Sequence, residues 1–226
     1  MANTVERILQ RPDAIQVAEQ LQAALADEVR RRRAFREWVD DSVKVKAEFI
    51  NGETIYHSPA KQKHLEVSRL LGGLLHAYTL LKGLGTVWSE KAMISLTRND
   101  YEPDLVFFEK SKSDKFTKDQ LFFPAPDLAV EILSKRTASR DRGIKKDDYA
   151  AHGIREYWII DPDREQVELY FLLENETVYF EPYILTRDEL IESRVLQGLS
   201  IPVRALFYAD ANMEALQSLI PGDKKN

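Results

Sequence analysis

Two buried strands joined by a helix are predicted between residues 127 and 160, and this unit constrains the fold more than any other feature of the sequence. Residues 127–133 (DLAVEIL) and 156–160 (EYWII) are short and almost wholly apolar, which is typical of strands covered on both faces. Residues 141–152 between them are predicted to form a helix that ends at Gly153. Successive strands joined by a helix pair in parallel through a right-handed crossover, so the unit predicts an α/β fold.

Antiparallel strands and further helices are predicted around this unit. Apolar and charged residues alternate in residues 43–49, which indicates a strand with one solvated face. The Asn51-Gly52 pair is a strong hairpin signal that returns the chain through residues 53–56. Other strands are predicted near residues 86–96, 104–108, 166–172 and 178–183, helices near residues 13–38, 65–83 and 211–220, and a lysine-rich loop at residues 109–126. We therefore predict an α/β domain at residues 41–226, a mixed β-sheet flanked by helices, behind an N-terminal helical extension at residues 1–40.

The N-terminal helix carries an apolar stripe. Asp13 is a candidate N-cap, and Val17, Leu21, Leu25 and Val29 recur every fourth residue. An apolar stripe of this kind is normally covered. It either folds back on the chain's own sheet or packs against a second copy of the chain.

Composition excludes several classes of site. The 226 residues include no cysteine, which excludes disulfides, thiol nucleophiles, iron–sulfur clusters and cysteine zinc sites and agrees with a reducing cytosol. The four histidines form no close HxH or HxxxH pair, which argues against histidine-rich zinc catalysis. No apolar run reaches the roughly 18 residues that span a bilayer, and residues 1–10 lack the apolar core of a signal peptide. We therefore expect a cytoplasmic protein.

Positive charge is concentrated locally although the net charge is −5. That net charge argues against a protein that coats nucleic acid non-specifically. Residues 30–33 are four consecutive arginines, a pattern more typical of a solvated helix face than of a binding site. A second cluster falls within twelve positions and consists of Lys135, Arg136, Arg140, Arg142, Lys145 and Lys146.

Acidic and basic residues coincide around the predicted crossover, while P-loop, G-x-S-x-G, G-x-G-x-x-G and kinase signatures are missing. Asp104 opens one predicted strand and Glu131 lies inside another that is otherwise apolar. A buried carboxylate is costly unless it is paired or binds a metal, so Glu131 needs a partner. Asp141, Lys145 and Tyr149 lie at i, i+4 and i+8 on one stripe of the next helix. That stripe either faces Glu131 or is a solvated face with an ordinary ion pair.

Four motifs, taken in order, resemble the Uma-two family, bacterial endonucleases that are especially numerous in cyanobacteria. They are residues 103–106 (PDLV), residues 126–134 (PDLAVEILS), the Asp141-x-x-x-Lys145-x-x-x-Tyr149 pattern and residues 153–162 (GIREYWIIDP). The likeness runs from about residue 47 to residue 172. It implies a restriction-endonuclease-like fold and leaves the first 40 residues and the tail after about residue 188 uncovered.

The resemblance implies a PD-(D/E)xK nuclease site that uses Mg²⁺ or Mn²⁺ and cuts DNA. Asp104 matches the aspartate of that pattern and Glu131 its second acid, and carboxylates suit Mg²⁺. Leu133 stands where the simple pattern has lysine. In this family the lysine is found on the following helix, which makes Lys145 the match. Lys135 shares strand parity with Glu131 and is the rival lysine.

Further roles are implied around this site. Glu53 matches an acidic position that completes the metal shell, although an exposed strand glutamate is the plainer interpretation. His64 and Tyr149 also match the family, as site residues or as packing side chains. Lys135, Arg136 and Arg140 are candidate phosphate contacts. A homodimer is expected, since cutting both strands of a duplex with a one-centre site usually takes two copies.

Two other functions remain open from the residues alone. One is a restriction-like module that binds nucleic acid without cutting it. The other is a glycoside hydrolase with paired carboxylates, which would need neither Lys145 nor a metal. Metal dependence distinguishes these from a nuclease.

Overall fold

The structure, a computed structural model, describes residues 2–42 and 45–219. The chain divides into two compact units between His57 and Ser58. The domain boundary expected near residue 40 stays a prediction, because it states that residues 41–226 form a domain separate from the N-terminal extension. Within residues 2–42 and 45–219 no helix is long and apolar enough to cross a membrane.

The first unit contains two helices and a hairpin. Its elements are α1 (Ala2–Leu9), α2 (Ala14–Ser42), β1 (Ala47–Ile50) and β2 (Glu53–Tyr56). Ile50 pairs with Glu53, so the loop has two residues, Asn51 and Gly52, with φ of 49° and 85°. Two positive φ values suit the twist of a tight hairpin, and Asn and Gly adopt them readily. The predicted turn is confirmed.

Side chains of the first unit depart from two expectations. The Asp13 carboxylate accepts hydrogen bonds from Arg11 at 2.7 and 2.8 Å instead of serving as a side-chain cap. Residues 43–44 lie outside the described residues, and β1 has no solvated face. Glu48 is fully buried and lies 2.9 Å from the His57 imidazole. A charge can occupy the inner face because it has this partner.

The second unit carries the sheets. Its helices are α3 (Gln62–Lys82), α4 (Lys110–Ser113), α5 (Ala138–Arg140), α6 (Lys146–Ala151) and α7 (Ala209–Leu219), with a kinked segment at Asp141–Lys145 and a 3₁₀ turn at Val203–Leu206. Its strands are β3 (Gly85–Ser89), β4 (Met93–Ser95), β5 (Asp100–Tyr101), β6 (Leu105–Glu109), β7 (Phe122–Phe123), β8 (Leu128–Ile132), β9 (Glu156–Asp161), β10 (Gln166–Phe171), β11 (Tyr183–Leu185), β12 (Leu190–Glu192) and β13 (Ser200–Pro202).

A six-stranded mixed sheet in the order β11-β10-β9-β8-β6-β3 organises this unit. β8 and β9 pair in parallel and the other neighbours are antiparallel, as the crossover prediction requires. Side chains alternate between faces along each strand. Leu105, Val130 and Trp158 lie on the face that forms one core with Leu71 and Leu75 of α3. The opposite face carries Glu131 and lies toward the crossover helices.

Three segments differ from the sequence prediction. The strand expected at residues 86–96 is divided into β3 and β4, because Glu90 and Lys91 adopt positive φ of 55° and 57°. The last strand of the sheet is β11 at Tyr183–Leu185, and residues 178–182 are not in a strand. The lysine-rich loop at residues 109–126 contains α4 and β7, and it follows the end of β6 that lies away from Asp104.

Candidate active site

Asp104 and Glu131 lie at the same end of two neighbouring strands. β6 and β8 are antiparallel with Leu105 opposite Val130, Asp104 directly precedes β6, and Glu131 follows Val130 in β8. Both residues are nearly buried, at 4% exposure each. Two buried acidic residues are therefore present where β6 begins and β8 ends.

The Asp104 carboxylate is oriented from two sides. Its Oδ2 accepts a hydrogen bond of 2.8 Å from the backbone N–H of Ile132, one residue beyond Glu131. Its Oδ1 lies 3.3 Å from Nε2 of His64, in the first turn of α3. His64, which the sequence alone leaves between a packing and a functional role, is a neighbour of the candidate acid.

Glu131 is held by the stripe that the sequence singled out. Lys145 Nζ and the Tyr149 hydroxyl each donate a hydrogen bond of 2.9 Å to Glu131 Oε1. Lys145 and Tyr149 are as buried as the carboxylate, at 1% and 0% exposure. The stripe therefore faces the sheet, and the interpretation of it as a solvated face is wrong.

Lys145 lies between two acids. Its Nζ is 3.7 Å from Oδ1 of Asp141, a residue that is fully buried. Asp141 and Lys145 lie on either side of a kink at Gly143 (φ −110°, ψ −107°), which interrupts the helix predicted for residues 141–152. Two buried carboxylates and one ammonium thus share this side of the sheet.

Tyrosines enclose the ammonium group. The Tyr101 ring centroid lies 5.8 Å from Lys145 Nζ, and the Tyr149 ring makes edge-on contacts with Tyr101 and Tyr157. Burial, together with the negative charges of Glu131 and Asp141, raises the pKa of Tyr157 well above its ordinary value. Tyr157 is therefore a neutral donor, and its hydroxyl binds the Asp141 carbonyl at 3.1 Å. Electrostatic interactions between charged groups are stronger in such a low-dielectric enclosure than in water.

The remaining predicted site residues are Lys135, Arg136, Arg140 and Glu53. β8 ends at Ile132, so Lys135 is in a turn, strand parity does not apply to it, and its side chain is exposed. Arg136 is exposed and donates a hydrogen bond to Ser58, and Arg140 is half-buried. Glu53 is an exposed residue at the start of β2 in the first unit, and its role as a metal ligand stays a prediction.

The carboxyl pair fits a magnesium ion by its chemistry. Mg²⁺ takes one or two protein carboxylates and keeps several waters, which Asp104 and Glu131 match. Among residues 2–42 and 45–219 no group of three or more His, Asp or Glu side chains is arranged to hold a metal.

The architecture defines a class of protein, a mixed α/β protein with a restriction-endonuclease-like fold. A putative nuclease belonging to DUF820 from Anabaena variabilis ATCC 29413 superposes with a TM-score of 0.64, at 19% identity, over 77% of this chain and 93% of that one. The type IIG restriction endonuclease BpuSI matches with a TM-score of 0.37 and 15% identity over 72% of this chain and 18% of its own, too weak a likeness to support an argument.

The sequence identifies the family. Residues 32–204 match the Uma2 family, described as a putative restriction endonuclease, and the chain belongs to that family. The resemblance to the Uma-two family is thus confirmed. No curated protein matches the sequence.

Proposed function

We propose that the protein is a Mg²⁺-dependent endonuclease that hydrolyses DNA phosphodiester bonds with an activated water. The observation that carries this proposal is that the Asp104 carboxylate accepts the N–H of Ile132, next to Glu131, at 2.8 Å while Lys145 binds Glu131 at 2.9 Å. Two acids with an adjacent lysine suit metal-assisted phosphodiester hydrolysis. Membership of a family of putative restriction endonucleases supports the same conclusion.

Each residue of the candidate site has a distinct role in this mechanism. Asp104 and Glu131 would hold the ion, which would polarise the scissile phosphate and lower the pKa of a bound water. The Ile132 N–H and the Tyr149 hydroxyl keep the two carboxylates oriented. Lys145 stabilises negative charge that develops on the phosphate oxygens, and the surrounding tyrosines limit competing water.

Metal-dependent cleavage tests the proposal. Supercoiled plasmid, linear duplex and single-stranded DNA are incubated with the full chain in Mg²⁺, in Mn²⁺ and in EDTA. We expect nicking or linearisation with either metal, none in EDTA, and loss of activity in Lys145→Met but not in Lys118→Met, at an exposed lysine of the loop at residues 109–126. DNA binding without cleavage under every condition would identify a non-catalytic binding module, and activity in EDTA would contradict metal dependence.

A homodimer is part of the proposal, since a duplex offers one strand to each of two copies. Its support is the α2 stripe, where Leu21, Leu25 and Val29 are 55%, 43% and 68% exposed. Closed two-fold dimers are the commonest way to cover such a face. We expect light scattering at micromolar concentration to give twice the chain mass of 26.1 kDa.

Substitution locates the dimer interface. Leu21→Ser with Leu25→Ser should yield the monomer, because serine removes the apolar contact. Leu80→Ser, at a 75% exposed leucine of α3, is the matched control and should remain dimeric. A monomeric native protein would reject the dimer, and a dimeric double variant would place the interface elsewhere.

A further inference from the structure

Three separate segments come together at the end of the sheet that carries Asp104 and Glu131, and two of them carry lysines. Lys63, in the first turn of α3, forms an ion pair with Asp163, in the turn between β9 and β10. Arg136, in the turn after β8, donates a hydrogen bond to Ser58, just before α3. The three turns are thus tied to one another.

The lysines converge on one carboxylate. The hydrogen bond from Lys63 holds the pKa of Asp163 below its ordinary value, and the positive charges of Lys63, Lys135 and Lys61 add to the effect. Lys61, Lys63 and Lys135 are all exposed, as is Asp163. We call these three lysines the lysine rim. An exposed acid that pairs with Lys63 and is favoured by the charge of two further lysines marks a place where one negative charge is favoured.

The lysine rim adjoins the candidate active site through covalent neighbours. Lys63 precedes His64, which lies 3.3 Å from Asp104. Lys135 follows Glu131 by four residues. The parallel register of β8 and β9 pairs Ile132 with Ile160, so the turn after β9, which contains Asp163, lies at the same end of the sheet as the turn after β8.

We propose that the lysine rim binds a backbone phosphate of the DNA substrate, and that Asp163 occupies the phosphate position in the free protein. This inference rests on the proposed function and names the surface that positions the substrate. Exposed ion pairs are weak, so a phosphate can replace Asp163 at little cost. Charge complementarity identifies the occupant, since the DNA backbone presents a negative charge at every step.

This surface differs from the one that the basic residues at 135–146 suggested. Within that cluster, Arg142 is bound to Glu168 and Lys145 is buried against Glu131. Two of the three rim lysines, Lys61 and Lys63, lie instead more than 70 positions before that cluster in the sequence. Asp163 makes the expected change in DNA affinity distinctive, because removing the acid next to Lys63 should strengthen DNA binding.

Fluorescence anisotropy with a short fluorescein-labelled duplex tests the lysine rim. The full chain is titrated in EDTA, so that no metal-dependent cleavage occurs, between about 50 and 200 mM NaCl. Asp163→Asn should lower the Kd about threefold to fivefold, since a like charge next to a phosphate contact is removed. Lys63→Gln should raise the Kd by a similar factor and reduce the slope of log K against log salt by about 0.9.

Matched controls come from the loop at residues 109–126. Asp119→Asn and Lys118→Gln change an exposed acid and an exposed lysine there, and should leave the Kd within about twofold. Thermal unfolding of each variant checks that the fold is unchanged.

The outcomes separate the rim from the proposed function. Unchanged or weaker binding by Asp163→Asn, a Lys63→Gln variant that binds like the native chain, or no binding by the native chain would each overturn the rim. Metal-dependent cleavage that survives in Lys63→Gln with normal affinity would retain the proposed function and reject the rim. Rim-dependent binding without cleavage in any metal would retain the rim and reject the nuclease.

Discussion

Glu131→Gln is expected to lower the rate of metal-dependent DNA cleavage by about 100- to 1,000-fold, the loss typical of removing one group that stabilises transition-state charge. Glutamine has the same shape, and its amide oxygen can still accept the bonds from Lys145 and Tyr149. The fold should therefore persist while the anionic ligand is lost. Asp104→Asn should behave in the same way, because its amide oxygen can still accept the Ile132 N–H.

Initial rates of plasmid nicking over a range of Mg²⁺ concentrations measure this effect. Glu174→Gln, at an exposed glutamate distant in sequence from the site, is the matched control and should cleave like the native chain. Circular dichroism verifies folding of each variant. If Glu131→Gln and Asp104→Asn both retained the native rate, the carboxyl pair would not be the active site.

Lys145→Met is expected to be the most destabilising single change at this site, by about 3–5 kcal/mol in the free energy of unfolding. The substitution keeps the apolar length of the side chain and removes the ammonium that lies 2.9 Å from Glu131 and 3.7 Å from Asp141. Two buried carboxylates would then share the enclosure without that charge between them. Cleavage should be lost as well, because the group proposed to stabilise charge on the phosphate is gone.

Urea denaturation measures the change in stability. Lys146→Met is the matched control, since Lys146 is the next residue and lies 3.8 Å from Asp147 in an exposed pair worth about 0–1 kcal/mol. Adding Glu131→Gln to Lys145→Met should recover part of the lost stability, because one buried negative charge is removed with its partner. A Lys145→Met variant as stable as the native chain would show that the ion pair is not important for folding.

Local features of the sequence determined most elements of the fold. The apolar runs at residues 127–133 and 156–160 specified β8 and β9, because a strand buried on both faces requires apolar side chains nearly throughout. The Asn51-Gly52 turn specified the first hairpin through its positive φ angles. The one acid within β8 also showed that Glu131 must have a partner, since burial of a lone carboxylate is costly.

Tertiary structure decided what those elements bring together. The pairing of β6 with β8 brings the Asp104 carboxylate to the N–H of Ile132, next to Glu131, and no property of either segment alone sets that register. Burial of Lys145 depends on which face of the crossover helix packs on the sheet, and the lysine rim depends on three turns that meet only after folding. Hydrophobic pattern and turn chemistry act over a few residues, so they can be read from the sequence. The pairing of charges that are distant in the sequence depends on tertiary packing, which buries some charged side chains away from water and leaves others exposed.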